Sequence, residues 1–191
     1  MRIVSGTCGG RILKTPKNDA IRPTSDKIRG AIFNALRARA AVEGAYVLDG
    51  FCGTGALGLE ALSQGAAHCV FVDSARASLD LARENTRILG LENQAEFILK
   101  ELAKIGQLHV NDKKFTLLFL DPPYSKNLIH PALQALHEGH LMEPEAVIVL
   151  ETEKAFAEEF SDTYTLLDSR LYGDTKVTTL RYTGRYTRTP E

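Results

Sequence analysis

Short apolar runs that alternate with helical patterns limit the fold of this chain more than any other feature. The five runs occupy residues 45–51, 68–73, 95–100, 115–121 and 146–151. Each run is apolar throughout, which is typical of strands that are buried on both faces of a sheet. Because segments with a helical period separate them, their order indicates βαβ units and a parallel sheet. Near the C-terminus, two strand-like segments flank Gly173-Asp174, so we expect this α/β sheet to have an antiparallel edge.

The N-terminal part of the chain follows a different pattern. Residues 1–22 contain three glycines and predict a small β-hairpin that ends at an Arg-Pro pair, because the residue before proline favours extended backbone. A helix is expected to begin at Thr24 or Ser25, whose hydroxyls can cap it. Apolar residues recur every fourth position from Ile28, which predicts one buried helical face. We expect this helix to end near Gly44.

Charge is distributed unevenly along the chain. Residues 1–40 contain nine Lys/Arg against two Asp, a net charge of +7, whereas the remainder contains 14 Lys/Arg against 22 Asp/Glu, a net charge of −8. A basic segment on an acidic body is typical of a face that binds a polyanion such as nucleic acid. The candidate phosphate contacts are Arg2, Arg11, Lys14, Lys17 and Arg22.

Composition excludes several classes of protein. Of the 191 residues, 44% are hydrophobic and 25% are charged, which is typical of a globular domain. The three cysteines form no C-x-x-C pair, so neither a disulfide framework nor a zinc ribbon is expected, and the five histidines suggest no metal site. No apolar run approaches the length of a membrane span, and the N-terminus lacks the apolar region of a signal peptide. We therefore expect a cytoplasmic protein without a membrane partner.

A glycine-rich turn after the first predicted strand is the first candidate site. Asp49 ends the strand, and Gly53 and Gly55 follow before a helix. Glycines let the backbone approach a ligand closely, and a helix N-terminus favours an electronegative group. Asp73 ends the next strand, where a carboxylate can accept two hydrogen bonds from a ribose diol. Ser74 is expected to cap the following helix.

Two kinds of ligand fit this turn. Residues 53–58 match G-x-G-x-x-G, the fingerprint of nicotinamide and flavin dinucleotides. In that fingerprint the first glycine lies at the strand end, whereas Gly53 lies further along the chain. A strand-terminal carboxylate at Asp49 suits a cationic amine, and S-adenosylmethionine has an ammonium, a sulfonium and no phosphate. The D-x-F-x-G-x-G pattern, which includes Phe51, resembles motif I of class I methyltransferases.

The tetrapeptide Asp121-Pro122-Pro123-Tyr124 closes the fourth predicted strand. Open α/β sheets bind their ligands at the carboxyl ends of strands. The prolines have no backbone N–H, so their carbonyls and the Asp121 carboxylate can only accept, and together they can hold both hydrogens of an exocyclic amino group. The flat ring of Tyr124 can stack on a base. These four residues are therefore the predicted catalytic residues.

The tetrapeptide is the (D/N)PP(Y/F) motif of methyltransferases that act on amino groups of nucleic-acid bases, and further blocks resemble one family. RPTSDKIRGAIFNAL is similar to a signature of bacterial small-subunit rRNA guanine-N2 methyltransferases. Similar blocks in the family's order are residues 1–16, 48–66, 119–124 and 172–182. The resemblance spans nearly the whole chain. It departs at Gly30, Gly50, Cys52 and Gln64, where the family usually has Glu, Leu, a small residue and Arg.

This resemblance implies a class I methyltransferase fold, which is Rossmann-like, with a mostly parallel seven-stranded sheet, an antiparallel edge strand and helices on both faces. It implies an RNA-contacting extension over residues 1–22 and a methyltransferase domain over residues 23–191. The implied reaction transfers a methyl group from S-adenosylmethionine to N2 of a guanine in 16S rRNA, in the position-966 class, and leaves S-adenosylhomocysteine. The expected partner is 16S rRNA in an assembling small ribosomal subunit, and a monomer is expected.

The implied cofactor-binding residues come from four parts of the chain: Asp49, Phe51, Gly53, Gly55, Asp73, Ser74, Glu101 and Thr24. A carboxylate at Glu101, after the third strand, can lie near the adenine or can instead begin a helix.

Other interpretations of the function stay open. A related enzyme can methylate adenine N6 or a protein glutamine, the glycine turn alone also fits an oxidoreductase, and the basic segment also fits an RNA-binding scaffold without activity.

Overall fold

Seven strands form one sheet with helices on both faces in the computed structural model, which describes residues 1–16, 25–106, 113–123, 128–157 and 159–184. The helices are Asp26–Ala38 (α1), Ala56–Ser63 (α2), Arg76–Leu89 (α3) and Ile129–Glu138 (α4). The strands are Tyr46–Gly50 (β1), His68–Asp73 (β2), Ala95–Leu99 (β3), Phe115–Leu120 (β4), Met142–Glu153 (β5), Tyr164–Tyr172 (β6) and Thr175–Tyr182 (β7). Short 3-10 helices span Glu92–Gln94 and Leu102–Lys104.

The strand order of the sheet is β3-β2-β1-β4-β5-β7-β6. Strands β1 to β5 run parallel, and β7 runs antiparallel to both of its neighbours. The predicted class I fold is therefore confirmed, with one refinement. The reversed strand β7 is not at the edge but one position inside it, because β7 rather than β6 pairs with β5, and β6 pairs only with the other side of β7. None of the described helices has both the length and the apolar character that a membrane crossing requires.

Strand alternation divides the core into two layers. Val47, Phe71 and Phe119 pack with the apolar faces of α1, α2 and α3 on one side of the sheet. Leu48 and Leu120 pack with α4 on the other side. Because both faces are covered, the central strands are apolar throughout, as the sequence indicated.

Two element boundaries differ from the sequence predictions by more than two residues. The side chain of Ser25 accepts a hydrogen bond from the Ile28 N–H, so the start of α1 is as predicted. The helix nevertheless ends at Ala38 rather than near Gly44, because Ala40 adopts a left-handed conformation with φ of 52°. Strand β5 begins four residues before the predicted start at residue 146. The first residue of this added part, Met142, pairs with Phe115 of β4, and the pairing register shifts between Phe115 and Leu117.

The N-terminal residues fold back on themselves and pack against the domain. Arg2 and Ile12 form an antiparallel bridge, and Ile3 and Leu13 are buried in the same layer as α1 to α3. Gly6 has a φ of 83°, and a Cβ atom there would lie 1.9 Å from the carbonyl oxygen of Ser63. This close approach requires glycine and places the segment directly on α2.

A buried ion pair also holds this segment. Arg29 of α1 and Glu60 of α2 are both fully buried, and the Arg29 Nε atom lies 3.4 Å from the Glu60 Oε2 atom. The Glu60 carboxylate also accepts the backbone N–H groups of Val4 at 2.7 Å and Ser5 at 2.9 Å. Arg29 is therefore a structural cation, although it was counted in the basic segment of the sequence.

Candidate active site

The carboxyl ends of β1, β2 and β4 meet at the centre of the sheet. In the strand register, Gly50 is opposite both Val72 and Leu120. The chain leaves β1 toward β2 on one side, while β4 lies on the other side, so this point is the topological switch point at which such sheets bind ligands. The glycine turn, Asp73 and Asp121 all lie at this edge.

The turn after β1 is held in a conformation with several left-handed residues. Phe51, Gly53 and Gly55 have φ values of 73°, 54° and 78°. The N–H of Phe51 donates to the Val72 carbonyl at 2.9 Å, which ties the turn to β2. A left-handed conformation is unusual for a bulky residue, so Phe51 is a strained position in the candidate cofactor site.

Asp49 is 2% exposed, and its Oδ2 atom accepts the backbone N–H of Gly58, in the first turn of α2, at 2.9 Å. The pKa of this carboxyl is raised to about 7, mainly by burial and also by the nearby charge of Asp73, while the hydrogen bond from the Gly58 N–H acts to lower it. Gly58 lets α2 approach closely, because a Cβ atom there would lie 2.5 Å from Phe71 and 2.6 Å from Cys69.

Asp73 organises the turn from the end of β2. Its Oδ2 atom accepts the Gly53 N–H at 3.0 Å, and its Oδ1 atom accepts the Ala75 N–H at 2.8 Å. The predicted capping role of Ser74 is wrong, because the N-cap of α3 is Ala75 and the Asp73 carboxylate bonds its backbone instead. Ser74 is exposed beside the site.

The acceptor turn follows β4 directly. Asp121 is half-buried, Pro122 is buried and Pro123 is exposed. Tyr124 lies outside the described residues, as does Thr24. Asp121 comes immediately after Leu120, which pairs with Gly50 of β1, so it lies beside the glycine turn.

The sequence analysis missed a fourth acidic position at this edge, Glu151 of β5, which is 5% exposed. By strand alternation, Glu151 lies on the same side of the sheet as Asp49 and Asp73, the side covered by α1 to α3. Asp121, the first residue after β4, falls on that side as well, because it is two positions after Phe119. Four adjacent strands therefore each carry one carboxylate at this edge. The signal was present in the sequence, because Glu151 ends the apolar run 146–151.

The structure places Glu101 at the N-cap of the 3-10 helix 102–104, without a side-chain capping hydrogen bond. Its carboxylate is exposed and pairs with Lys104 at 2.6 Å. It lies after β3, whose last residue, Leu99, pairs with Asp73. The structure therefore brings Glu101 to the same edge of the sheet as the glycine turn, one strand beyond Asp73.

Three basic residues in the described part of the N-terminal segment have partners within the chain. Arg2 pairs with Asp26 at 3.1 Å, Lys14 pairs with Glu84, and Arg11 donates to the Leu89 carbonyl at 3.1 Å. The side chains of Arg2 and Lys14 remain 66% and 57% exposed. Lys17 and Arg22 lie outside the described residues.

The cysteines at the site are packing residues. Burial, with the charges of Asp49 and Asp73, raises the pKa of the Cys52 thiol, and burial raises that of Cys69. Since the thiolate is the nucleophilic form, neither is set up for covalent catalysis. Within the described ranges, no three His, Cys, Asp or Glu side chains are grouped to hold a metal ion.

A seven-stranded sheet with one reversed strand, a glycine-rich turn after β1, an acidic residue ending β2 and an Asp-Pro-Pro turn after β4 define a class I methyltransferase fold. The family described as conserved hypothetical protein 95 matches residues 1–181, and the chain belongs to this family.

Similar proteins support this membership. Ribosomal RNA small subunit methyltransferase D of Haemophilus influenzae is 32% identical over 174 residues, which cover 91% of this chain and 89% of that protein. Its namesake from Escherichia coli K12 is 33% identical over 156 residues, which cover 80% of this chain and 75% of that protein. The solved structure of yhhF from Escherichia coli is 26% identical, with a TM-score of 0.83, and the match covers 97% of this chain and 99% of that one.

Proposed function

We propose that this protein transfers a methyl group from S-adenosylmethionine to N2 of a guanine in small-subunit ribosomal RNA, in the position-966 class. The observation that carries the proposal is the Asp121-Pro122 turn beside the glycine turn of β1. Family relatives named for methylation of small-subunit ribosomal RNA support the substrate class. Their names do not specify the base, so the choice of guanine N2 rests on the family resemblance of the sequence blocks.

The residues around the turn fit S-adenosylmethionine better than a dinucleotide. Each Asp73 oxygen accepts one backbone N–H, and a carboxylate oxygen has a further lone pair for a ribose hydroxyl. The Asp49 carboxyl lies close enough to Asp73 for the Asp73 charge to raise its pKa, and when Asp49 is ionised the two carboxylates place negative charge beside the turn. This negative charge repels a pyrophosphate and attracts an ammonium or sulfonium. When bound, the cofactor supplies an electrophilic methyl group.

The acceptor side of the site holds an amino group. The Asp121 carboxylate and the Pro122 carbonyl accept hydrogen bonds from its two N–H groups, which favours a more tetrahedral nitrogen with its lone pair directed at the methyl group. The new N–C bond would form as the C–S bond of the cofactor breaks and leaves S-adenosylhomocysteine. Holding the nitrogen about 3–3.5 Å from the methyl carbon supplies much of the rate through positioning. The Asp121 charge stabilises the positive charge that develops on nitrogen, and the proton then leaves to water. Because the base must be unpaired or extruded, an RNA loop is the expected target.

The N-terminal segment is proposed to contact the RNA backbone through Arg2, Arg11, Lys14, Lys17 and Arg22. The exposed side chains of Arg2 and Lys14 support this proposal, since phosphate contacts need accessible cations. We propose that residues 1–22 act as the RNA-contacting extension and residues 23–191 as the methyltransferase domain, although Ile3 and Leu13 are buried in the domain's core. We further propose that a monomer acts in the cytoplasm during assembly of the small ribosomal subunit.

Two measurements test the proposal. Calorimetry with S-adenosylmethionine and with nicotinamide dinucleotides should show binding of the former alone. Methylation of unmodified 16S rRNA, followed by nuclease digestion and mass spectrometry, should yield N2-methylguanosine. Methyl adenosine in the digest, or a methylated glutamine in a protein fraction, would overturn the guanine assignment, and dinucleotide binding would overturn the class of reaction.

A further inference from the structure

A single buried side chain of α3 connects the glycine turn to the N-terminal segment. Asn85 is fully buried, and its Nδ2 atom donates to the Thr54 carbonyl at 2.9 Å and to the Lys14 carbonyl at 3.1 Å. Its Oδ1 atom accepts the Lys14 N–H at 2.8 Å. Asn85 therefore bonds the backbone of two segments that are far apart in the chain.

The chemistry of the partners determines the orientation of this amide. Two partners are carbonyls, which can only accept, and the third is a backbone N–H, which can only donate. A rotated amide would place like groups against each other at all three positions. An aspartate would likewise set a carboxylate oxygen against the carbonyls of Thr54 and Lys14, so asparagine is specifically suited to this position.

The two connected segments belong to different parts of the proposed site. Thr54 lies between Gly53, which donates to Asp73, and Gly55 at the start of α2. Lys14 is close to the end of the described N-terminal segment, and it has a second contact with α3 through Glu84. Lys14 and Thr54 are therefore both hydrogen-bonded to the same buried amide.

We propose that Asn85 is a positioning residue that couples RNA binding at the N-terminal segment to cofactor binding at the glycine turn. This inference rests on the proposed function. Coupling is reciprocal, so RNA should tighten cofactor binding by the same factor by which the cofactor tightens RNA binding. We expect a factor of at least about fivefold, the lower end of typical coupling. A side chain that only supports the fold would change stability without changing this factor.

The test measures the affinity for S-adenosylhomocysteine with and without a 16S rRNA fragment, in the wild type, Asn85→Ala and Asn85→Asp. Ser63→Ala is the matched control. Ser63 is a buried residue of α2 whose hydroxyl donates to the Ser5 carbonyl at 2.7 Å and accepts the Cys8 N–H at 2.9 Å. These two bonds join the N-terminal segment to α2 and do not involve the glycine turn. We expect the coupling factor to fall toward one in both Asn85 variants and to persist in the control.

A second measurement, on the wild type alone, keeps the inference testable if the Asn85 variants do not fold. Addition of RNA without cofactor should slow amide hydrogen exchange in residues 52–56. A wild-type coupling factor of one, an unchanged factor in Asn85→Ala, or unchanged exchange in residues 52–56 would each overturn the inference. Failure of the wild type to bind the cofactor or RNA at all would instead overturn the proposed function.

Discussion

Replacement of Asp49 by asparagine should make the protein more stable and its cofactor binding weaker. The Asp49 carboxyl is buried, and burial raises its pKa to about 7 from an ordinary 3.8. An asparagine can still accept the Gly58 N–H through its side-chain oxygen, but it carries no charge that must be buried. The wild-type aspartate is therefore expected to lower stability at neutral pH in return for a negative charge at the cofactor site.

The pKa shift sets the sign and size of this effect. Because the folded pKa is higher than the unfolded one, stability from protonated Asp49 is fully present below about pH 4 and is lost as the pH rises to about 7. Each pH unit in that window corresponds to about 1.4 kcal/mol, so the full loss is about 4 kcal/mol. The advantage of Asp49→Asn should thus grow by about 3 kcal/mol from pH 5 to pH 8.

The assay is thermal unfolding of both proteins across this pH range. For a chain of this size, about 3 kcal/mol corresponds to roughly 6–12 °C, so the Tm difference between Asp49→Asn and the wild type should increase by that amount from pH 5 to pH 8. Asp80→Asn is a suitable control, because Asp80 is exposed on α3 with 60% side-chain exposure and its replacement should change Tm little at either pH. Parallel Tm curves for the wild type and Asp49→Asn would refute the buried-charge reasoning.

Folding favours the protonated form of Asp49, whereas cofactor binding should favour its ionised form. A cation at the site favours ionised Asp49, so wild-type affinity for S-adenosylmethionine should rise roughly tenfold between pH 6 and pH 8 as the carboxyl ionises. Asp49→Asn should bind roughly 10–100-fold more weakly at pH 8, since a charged hydrogen bond contributes about 1.5–3 kcal/mol, and its affinity should not vary with pH. Equal affinities at pH 8 would show that Asp49 does not contact the cofactor.

Three further substitutions test the remaining assignments. Asp73→Ala should weaken cofactor binding by about 1.5–3 kcal/mol in calorimetry, because it removes a charged acceptor and the support of the Gly53 N–H; unchanged affinity would exclude this role. Asp121→Ala should lower single-turnover methylation about 10²–10³-fold while Asp121→Asn keeps more activity, and equal losses would instead indicate an obligatory proton acceptor. The pair Arg2→Gln and Lys14→Gln should flatten the salt dependence of RNA affinity without altering cofactor affinity, and an unchanged slope would exclude phosphate contacts there.

The buried N-terminal packing explains why point substitutions suit this last test better than a deletion. Ile3, Cys8 and Leu13 belong to the core layer under α1 to α3. Removal of residues 1–18 would therefore expose that layer, and a loss of RNA binding could then reflect unfolding. Neutralising the exposed cations leaves these apolar contacts in place.

Sequence patterns by themselves determined the parallel sheet, the glycine turn, Asp73 at the end of β2 and the Asp-Pro-Pro turn after β4. These features depend on neighbouring residues, since apolar periodicity and turn chemistry act over a few positions. The turn at Gly173-Asp174 was predictable for the same reason. The position of β7 inside the sheet edge was not predictable, because strand order depends on pairing between distant segments.

Only the tertiary structure decided which charged and polar residues are buried and what they contact. Arg29 appeared to be one surface cation among nine until Glu60 and the N-terminal backbone enclosed it. Asn85 and Glu151 belong to a helix and a strand without any motif, and they acquire their places from segments more than 25 residues away in the chain. Hydrogen bonding, burial and the pKa of Asp49 depend on such distant neighbours, and a local sequence pattern contains no information about them.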